Sequence, residues 1–358
     1  MSTLVARRRT ARWRAVFAAF VGIVLAFSAA LIAPVTASAA VPTAKAPFLQ
    51  RTADVATADA LPTVQIDSGY VWAQTTVGNT VYAAGSFSNA RAALAAPGTN
   101  LTPRSNILAY DITTGNLLPF APSVNGVIKS IAHSTDGSRI YIGGSFTQVN
   151  GTARFNFAAL DAQTGQLISG FSPSVGGVGV FGITLLGDSV YVAGNFTQAN
   201  GTARKNFAAF ATSNGALRSW APTSDLQVDA LVTDPDGSQI IAGGRFSMVN
   251  GLASQRGLSA IDPVSGVVNT GWQANSTVIN GAASGKAGIF ALSTDATGVY
   301  GTGWVFSDVD TGNLEGVFAA DAGSGAIRWV ADCHGDHYGV YSTGKVVYTT
   351  SHMHSCNT

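Results

Sequence analysis

The sequence predicts an exported all-β protein whose repeats form a β-propeller. Three observations support this prediction: a glycine-containing strand that recurs about every fifty residues, an Asp-x-x-Thr/Ser-Gly turn between its copies, and a basic and apolar leader. Repeats of this length are typical of stacked supersecondary units, so the repeat decides the fold class.

The recurring strand occupies residues 81–87, 140–146, 190–196 and 240–246, with weaker copies at 299–303 and 347–351. The equivalent positions are 59, 50, 50, 59 and 48 residues apart: Gly85, Gly144, Gly194, Gly244, Gly303 and Ser351. Glycine at this position suits a strand near the crowded axis of a propeller, where backbones approach closely.

Turn residues separate the copies at regular places. An Asp opens and a Gly closes the turns 111–115, 161–165, 262–266 and 321–325, while Ala211 replaces the Asp in the third copy. Asn-Gly pairs follow at 150–151, 200–201 and 250–251 and suit hairpin turns with left-handed backbone. The second unit therefore reads as four short strands, at about 127–132, 140–146, 155–160 and 166–171.

Four-stranded antiparallel units of this length predict propeller blades, whereas solenoid coils, the alternative, have shorter periods. Six repeats are visible, and the last lacks its third and fourth strands. Residues 61–67 would supply one strand to close the ring. They would not supply both missing strands, so either closure is incomplete or the chain is a fragment of a longer protein, such as a seven-bladed ring. The fragment is the favoured interpretation, because an open edge exposes unpaired backbone.

Residues 1–39 are predicted to be a signal peptide, 40–64 a flexible segment and 65–358 the propeller. Five arginines precede an apolar stretch and the small-residue site 37–39, although an uncleaved anchor would also fit. Removing those arginines from twenty basic residues leaves fifteen against nineteen acidic ones, a net charge of −4. This balance argues against nucleic acid or an anionic membrane as partner.

The C-terminal segment holds four of the five histidines and both cysteines. An oxidising compartment favours a disulfide between Cys333 and Cys356. A zinc or copper site is one hypothesis for the neighbouring side chains, namely His334, Asp336, His337, His352 and His354. The alternatives are an acid/base pair and a stapled loop with solvated histidines.

An aromatic residue ends the fourth strand of each complete unit, at Phe120, Phe171, Trp220, Trp272 and Trp329. The tryptophans Trp220, Trp272 and Trp329 would stack on sugar rings if they lay exposed at a rim. Packing between neighbouring blades is the alternative.

The run 141–151, followed by Arg154, the stretch 158–161 and the pair Thr164-Gly165, resembles the delta-60 type β-propeller repeat of secreted bacterial proteins. The resemblance covers about 69–350. It implies the propeller fold and a surface or matrix role, since such repeats often neighbour adhesion or carbohydrate-binding modules. It defines no catalytic residue in this chain.

The sequence thus favours a secreted, non-enzymatic binding or scaffold protein whose partner is an extracellular polysaccharide or cell-surface protein. The other hypothesis is a metalloprotein or enzyme at the segment between Cys333 and Cys356. No phosphate loop, Gly-x-Ser-x-Gly or His-Glu-x-x-His motif occurs in the sequence.

Overall fold

The computed structural model describes residues 61–306 and 312–355, which lie in one compact unit, Ala53–Thr358. The predicted signal peptide and residues 40–60 of the predicted flexible segment fall outside the described part of the chain. Within that part, no helix is long and apolar enough to cross a membrane.

The described secondary structure is almost entirely β, and its first strands are β1 (Gln65–Ile66), β2 (Tyr70–Val77), β3 (Thr80–Ser86), β4 (Asn89–Arg91), β5 (Thr102–Pro103), β6 (Ile107–Asp111), β7 (Val127–His133) and β8 (Arg139–Ser145). The middle strands are β9 (Gln148–Val149), β10 (Thr152–Ala153), β11 (Phe157–Asp161), β12 (Val175–Leu186), β13 (Ser189–Ala199), β14 (Thr202–Ala203), β15 (Phe207–Ala211), β16 (Val228–Thr233), β17 (Ile240–Gly244) and β18 (Leu258–Ile261). One short helix, α1 (Ala274–Thr277), precedes β19 (Ala287–Asp295), β20 (Gly298–Val305), β21 (Gly316–Asp321), β22 (Ile327–Asp332), β23 (His337–Ser342) and β24 (Val347–Ser351).

Six antiparallel sheets follow one another along the chain, one for each repeat. They are sheet 1 (β2, β3, β6), sheet 2 (β7, β8, β11), sheet 3 (β12, β13, β15), sheet 4 (β16, β17, β18), sheet 5 (β19 to β22) and sheet 6 (β23, β24). The first strand of each sheet contacts the first strand of the next, from β2 through to β23. Among the described strands, no comparable contact joins sheet 6 to sheet 1.

The predicted fourth strand is complete only in sheet 5, as β22. In sheets 1 to 4 it is reduced to single bridges, Tyr110–Leu117, Leu160–Leu167, Phe210–Leu217 and Ile261–Val268. In the first three of these repeats, a proline follows two residues after the terminal aromatic residue, at Pro122, Pro173 and Pro222. Proline has no N–H to continue a ladder, so pairing could not extend past these positions, although sheet 4 has the same single bridge without a proline.

The N-terminal strand does not lie where the sequence analysis placed it. Strand β1 pairs with β4 in a small separate sheet and makes no ladder with β24 of sheet 6. Residues 65 and 66 therefore do not close the ring between the first and last described sheets. The prediction that residues 61–67 supply a closing strand is therefore wrong for Gln65 and Ile66.

The turns are those that the repeated residues predict. Asn150 and Gly151 both have positive φ, 49° and 73°, which is the backbone of a tight hairpin turn. In the Asp turn, Asp161 Oδ1 accepts hydrogen bonds from the backbone N–H and the hydroxyl of Thr164, each at 2.8 Å, while Gly165 has φ of +71°. The hydrogen bonds to Thr164 lower the pKa of Asp161.

A second set of asparagines, which the sequence analysis did not single out, joins successive sheets. Asn206 has φ of +69° and is buried. Its Oδ1 accepts from the N–H of Phe196 at 3.0 Å, and its Nδ2 donates to the carbonyl of Leu226 at 3.0 Å. Asn156 makes the corresponding bonds one repeat earlier. These residues tie the second strand of one sheet to the chain entering the next.

We expect Asn206→Ala to lower the free energy of unfolding by about 2–4 kcal/mol. Alanine loses the buried hydrogen bonds and also disfavours the left-handed backbone. Asn206→Gly keeps the backbone freedom and loses only the hydrogen bonds, so its effect should be smaller. Urea unfolding of both variants measures the difference, and equal losses would contradict a backbone contribution at this position.

The core lies between successive sheets rather than within any one of them. One cluster joins Tyr141 and Phe157 of sheet 2 to Val190 and Phe210 of sheet 3. Similar clusters join sheets 1 and 2, sheets 3 and 4, and sheets 4 and 5. Each sheet is thus stabilised mainly by its neighbours, as expected for stacked repeats.

Candidate binding cavity

A β-bulge recurs in the first strand of all six sheets. In β2 the register with β3 skips from Val71 to Ala73, which leaves Trp72 as the extra, unpaired residue. The same irregularity occurs at the equivalent place in the other sheets and leaves Lys129, Phe181, Asp229, Phe290 and Tyr338 unpaired. A bulge redirects a side chain out of the normal alternation of a strand and is common beside functional sites.

In five of the six sheets a glycine lies opposite the strand at the bulge, and Ser351 takes that place in sheet 6. Gly144 pairs with Ile128, next to the bulged Lys129, and a Cβ at Gly144 would lie 2.8 Å from the Ile128 Cα. Gly85 stands in the same relation to Val71. The glycine thus permits close approach of the first strand, as anticipated, but the strand that lies innermost is the first of each sheet, not the second.

The six bulged side chains line one cavity of about 450 Å³, which we call the axial cavity. This volume lies within the range of about 300–1,000 Å³ that is typical of small-molecule sites. Every sheet contributes its bulged residue, so the cavity wall comes from residues between 72 and 338 of the chain. Gln227, and Arg245 directly after β17, also line it.

One side of the axial cavity is aromatic. The rings of Trp72 and Phe290 are nearly parallel, with centroids 6.4 Å apart, and the edge of Tyr338 meets Phe290 at 5.7 Å. Trp72 and Tyr338 are each about two-fifths exposed, so their rings remain accessible. Aromatic faces that are partly exposed in a cavity are suited to stacking on flat or ring-shaped ligands.

Three charged side chains also line the axial cavity. Arg245 Nε lies 3.3 Å from Asp229 Oδ2, and its guanidinium lies over the ring of Trp304, 5.1 Å from the centroid. Lys129 Nζ lies over the Trp72 ring at 3.3 Å from its centroid. Gln227 Nε2 donates to Asp229 Oδ1, so both carboxylate oxygens have partners within the protein.

Burial shifts the pKa values of two of these groups. Burial raises the pKa of Asp229, against the opposing effects of Arg245, Gln227 and Lys129. Burial also lowers the pKa of Lys129, which Asp229 raises and Arg245 lowers further. Lys129 and Asp229 are therefore partly or largely withdrawn from solvent.

Two of the tryptophans predicted to stack on sugars are not available for that role. Trp220 and Trp272 are only 2% and 1% exposed, and their indole N–H groups donate to the carbonyls of Asp262 and Ala322. Trp220 packs in the cluster between sheets 3 and 4, and Trp272 in the cluster between sheets 4 and 5. This burial corrects the prediction for both residues, while Trp329 is 40% exposed and lies outside the axial cavity.

The C-terminal histidines do not share one environment. His337 is buried in β23, with Nδ1 2.9 Å from the carbonyl oxygen of Gly335. His352 and His354 are exposed, with ring centroids 5.1 Å apart, and His334 is exposed with φ of +46°. Across residues 61–306 and 312–355, no three His, Cys, Asp or Glu side chains form a group that could hold a metal ion. The zinc or copper site that includes Asp336 therefore stays a prediction.

Cys333 is buried, and its carbonyl oxygen accepts from the N–H groups of His354 and Ser355 at 3.3 and 3.2 Å. The chain just before Cys356 thus lies beside Cys333, which agrees with a bond between the two cysteines. Cys356 itself lies outside the described residues, so the disulfide stays a prediction.

The alternative, a stapled loop with solvated histidines, predicts that the exported chain retains no stoichiometric metal after dialysis against trace zinc and copper. The described geometry brings the rings of His352 and His354 together but adds no third ligand to them. Elemental analysis of the wild type and of the double variant His352→Ala, His354→Ala measures this directly. About one ion per chain, lost in the double variant, would establish the metal site instead.

The sequence analysis missed the axial cavity, although the aligned repeats contain its signal. The bulged residue lies thirteen or fifteen positions before the repeated glycine, for example Trp72 before Gly85 and Lys129 before Gly144. The bulged residue directly follows the residue that pairs with the repeated glycine. A small residue comes next in each repeat. The residue type at the bulged position differs from repeat to repeat, which is typical of a surface position rather than a core position.

One comparison, with a family model, supports the propeller type. A family model described as the Rax2 C-terminal beta propeller domain matches residues 107–252, from β6 to just beyond β17. No curated protein matches the chain. A crystal structure of the computationally designed Ika4 protein is similar at 13% identity, covering 50% of this chain and 89% of that chain with a TM-score of 0.33.

Proposed function

The chain is an all-β protein of the propeller type, and we propose that it is a secreted, non-enzymatic module that binds an extracellular glycan in the axial cavity. The observation that carries this proposal is the set of six bulges, which direct six side chains into one cavity. Each bulge interrupts the hydrogen-bond ladder of its sheet. Because bulges are common beside functional sites, their recurrence in every sheet favours a functional role.

The chemistry of the wall supports a sugar ligand. Aromatic rings on one side suit the apolar face of a sugar ring, while Gln227, Asp229 and Arg245 suit its hydroxyl groups. A cavity with mainly apolar walls and few placed polar groups is the usual form of a small-molecule site.

The same wall argues against glycoside hydrolysis. Enzymes of that type ordinarily place two carboxyl groups on either side of the bond that breaks. Asp229 is the one carboxylate among the described residues that line the axial cavity. Its two oxygens are held by Arg245 and Gln227, which suits a positioning group better than a nucleophile.

We further propose that the repeats are of the delta-60 type and that the protein acts at a cell surface or in a matrix. The recurring Asn-Gly hairpins and Asp turns support the repeat type, because each has the backbone that its residues require. The leader in residues 1–39 supports export.

A glycan array tests the binding function. We expect the exported chain to bind at least one cell-wall or plant polysaccharide, and Trp72→Ala to weaken that binding by more than about tenfold, as truncation of a central aromatic residue does in binding sites. Tyr341→Ala is the matched control, since Tyr341 is an exposed aromatic residue of sheet 6 outside the axial cavity.

Retention on no glycan would contradict the proposed function. Equal loss in Trp72→Ala and Tyr341→Ala would place the binding surface elsewhere on the molecule. Thermal unfolding of both variants shows whether the cavity variant is still folded.

A further inference from the structure

The charges in the axial cavity do not balance. Lys129 and Arg245 are positive, and Asp229 is the one negative group among the described lining residues. Asp229 is engaged by Arg245 and Gln227. Lys129 lies over the face of Trp72 and forms no ion pair within the described residues, although the charge of Asp229 acts on it from a greater distance.

The two cations are also placed to meet a ligand. Arg245 uses Nε for Asp229 and lies against Trp304, which fixes the plane of the guanidinium. Its terminal nitrogens donate to no group within the described residues, and its side chain is about one-third exposed. A guanidinium held in this way presents two parallel N–H groups, which match the two oxygens of a carboxylate.

Removing an ammonium group from water is unfavourable unless a counter-charge or several hydrogen bonds replace the water. Lys129 has an aromatic face as its partner, which compensates for only part of that loss. A negative group entering the axial cavity would supply the missing counter-charge. The excess of one positive charge matches a singly charged anion.

We infer that the ligand of the axial cavity is an acidic sugar, whose carboxylate pairs with Lys129 and Arg245 while its ring packs on the aromatic side. This inference rests on the proposed glycan-binding function and names its ligand class. The cavity selects a carboxylate over a phosphate because a phosphate carries more negative charge near Asp229. It selects a sugar acid over a simple anion because the aromatic side would otherwise stay uncovered.

Calorimetric titration with matched sugars tests the inference. Each pair consists of a uronic acid trimer and the neutral trimer of the same linkage, in the galacto, gluco and manno series. We expect the acidic member of at least one pair to bind at least about tenfold more tightly than its neutral partner, as one charge-assisted contact provides. The preference should fall as salt is raised.

Lys129→Gln should remove the preference for the acidic over the neutral trimer, and Arg245→Gln should act in the same direction. Lys205→Gln is the matched control, because Lys205 is exposed and lies outside the axial cavity. A preference that survives both cavity variants overturns the inference, and so does a preference for sulfated trimers over carboxylated ones.

The failures of the two proposals are distinguishable. Equal binding of acidic and neutral trimers, abolished by Trp72→Ala, would leave a glycan-binding cavity without selectivity for acids and would overturn only this inference. Binding of neither trimer in any series, together with a silent glycan array, would overturn both proposals.

Discussion

Trp272→Ala is expected to lower the free energy of unfolding by about 3–5 kcal/mol, the range for truncating a fully buried aromatic residue. The Trp272 ring is 1% exposed and fills the cluster between sheets 4 and 5, with Val278, Leu314 and Phe318 among its neighbours. Alanine would leave a cavity that the rigid sheets on either side cannot collapse to fill.

Trp329→Ala is the control for this prediction. Trp329 occupies the equivalent position one repeat later but is 40% exposed, so its truncation should change stability by less than about 1 kcal/mol. Urea unfolding of both variants measures the two losses of unfolding free energy, provided that the dependence of this free energy on urea concentration is unchanged. Trp272→Phe, which keeps most of the packing and removes the hydrogen bond to Ala322, should fall between them. Equal effects of the two alanine variants would mean that Trp272 does not pack as described.

Gly144→Ala is expected to destabilise the protein by at least about 3 kcal/mol, because the added methyl group would meet backbone atoms rather than a movable side chain. The Cβ would lie 2.8 Å from the Ile128 Cα and closer still to the carbonyl oxygen of Val127. To accept it, β7 must move away from β8 at the bulge that holds Lys129. Stability and ligand binding should therefore fall together.

Gly170→Ala is the matched control. No atom outside its chain neighbours lies within 4 Å of a Cβ at Gly170, and its φ lies outside the left-handed region. Alanine there should be neutral or stabilising by up to about 1 kcal/mol, since it restricts the unfolded chain. If Gly144→Ala proved as harmless as Gly170→Ala, the glycine would not be what permits the bulge.

The terminal aromatic residues and the repeated glycine are both evident in the sequence, but the sequence predicts their roles to different extents. For the aromatic residues, packing between sheets is one of two interpretations. The burial of Trp220 and Trp272 favours packing between sheets, which a sequence alone does not show because exposure depends on how neighbouring sheets stack. The repeated glycine was also visible, but its partner, the bulge in the preceding strand, was not. A bulge shows itself in strand register, which a single sequence records only through small differences in spacing.

The C-terminal histidines show the opposite case. Their clustering in the sequence suggested one site, and the structure separates the buried His337 from the exposed His352 and His354. His337 lies within β23, whereas His352 and His354 follow the end of β24, so proximity along the chain does not give them a shared site. The six residues of the axial cavity are, in contrast, far apart in the sequence and meet in space.

The sequence by itself determined the repeat, the turns and the strands of each unit other than the fourth. These features depend on preferences that act over a few residues, such as the left-handed backbone of Asn150 and Gly151 or the hydrogen bonds that Asp161 accepts in its turn. Only the tertiary structure decided which strand is innermost, which tryptophans are buried and which side chains share a cavity. Those outcomes follow from the packing of whole sheets against each other, and no local preference along the chain encodes them.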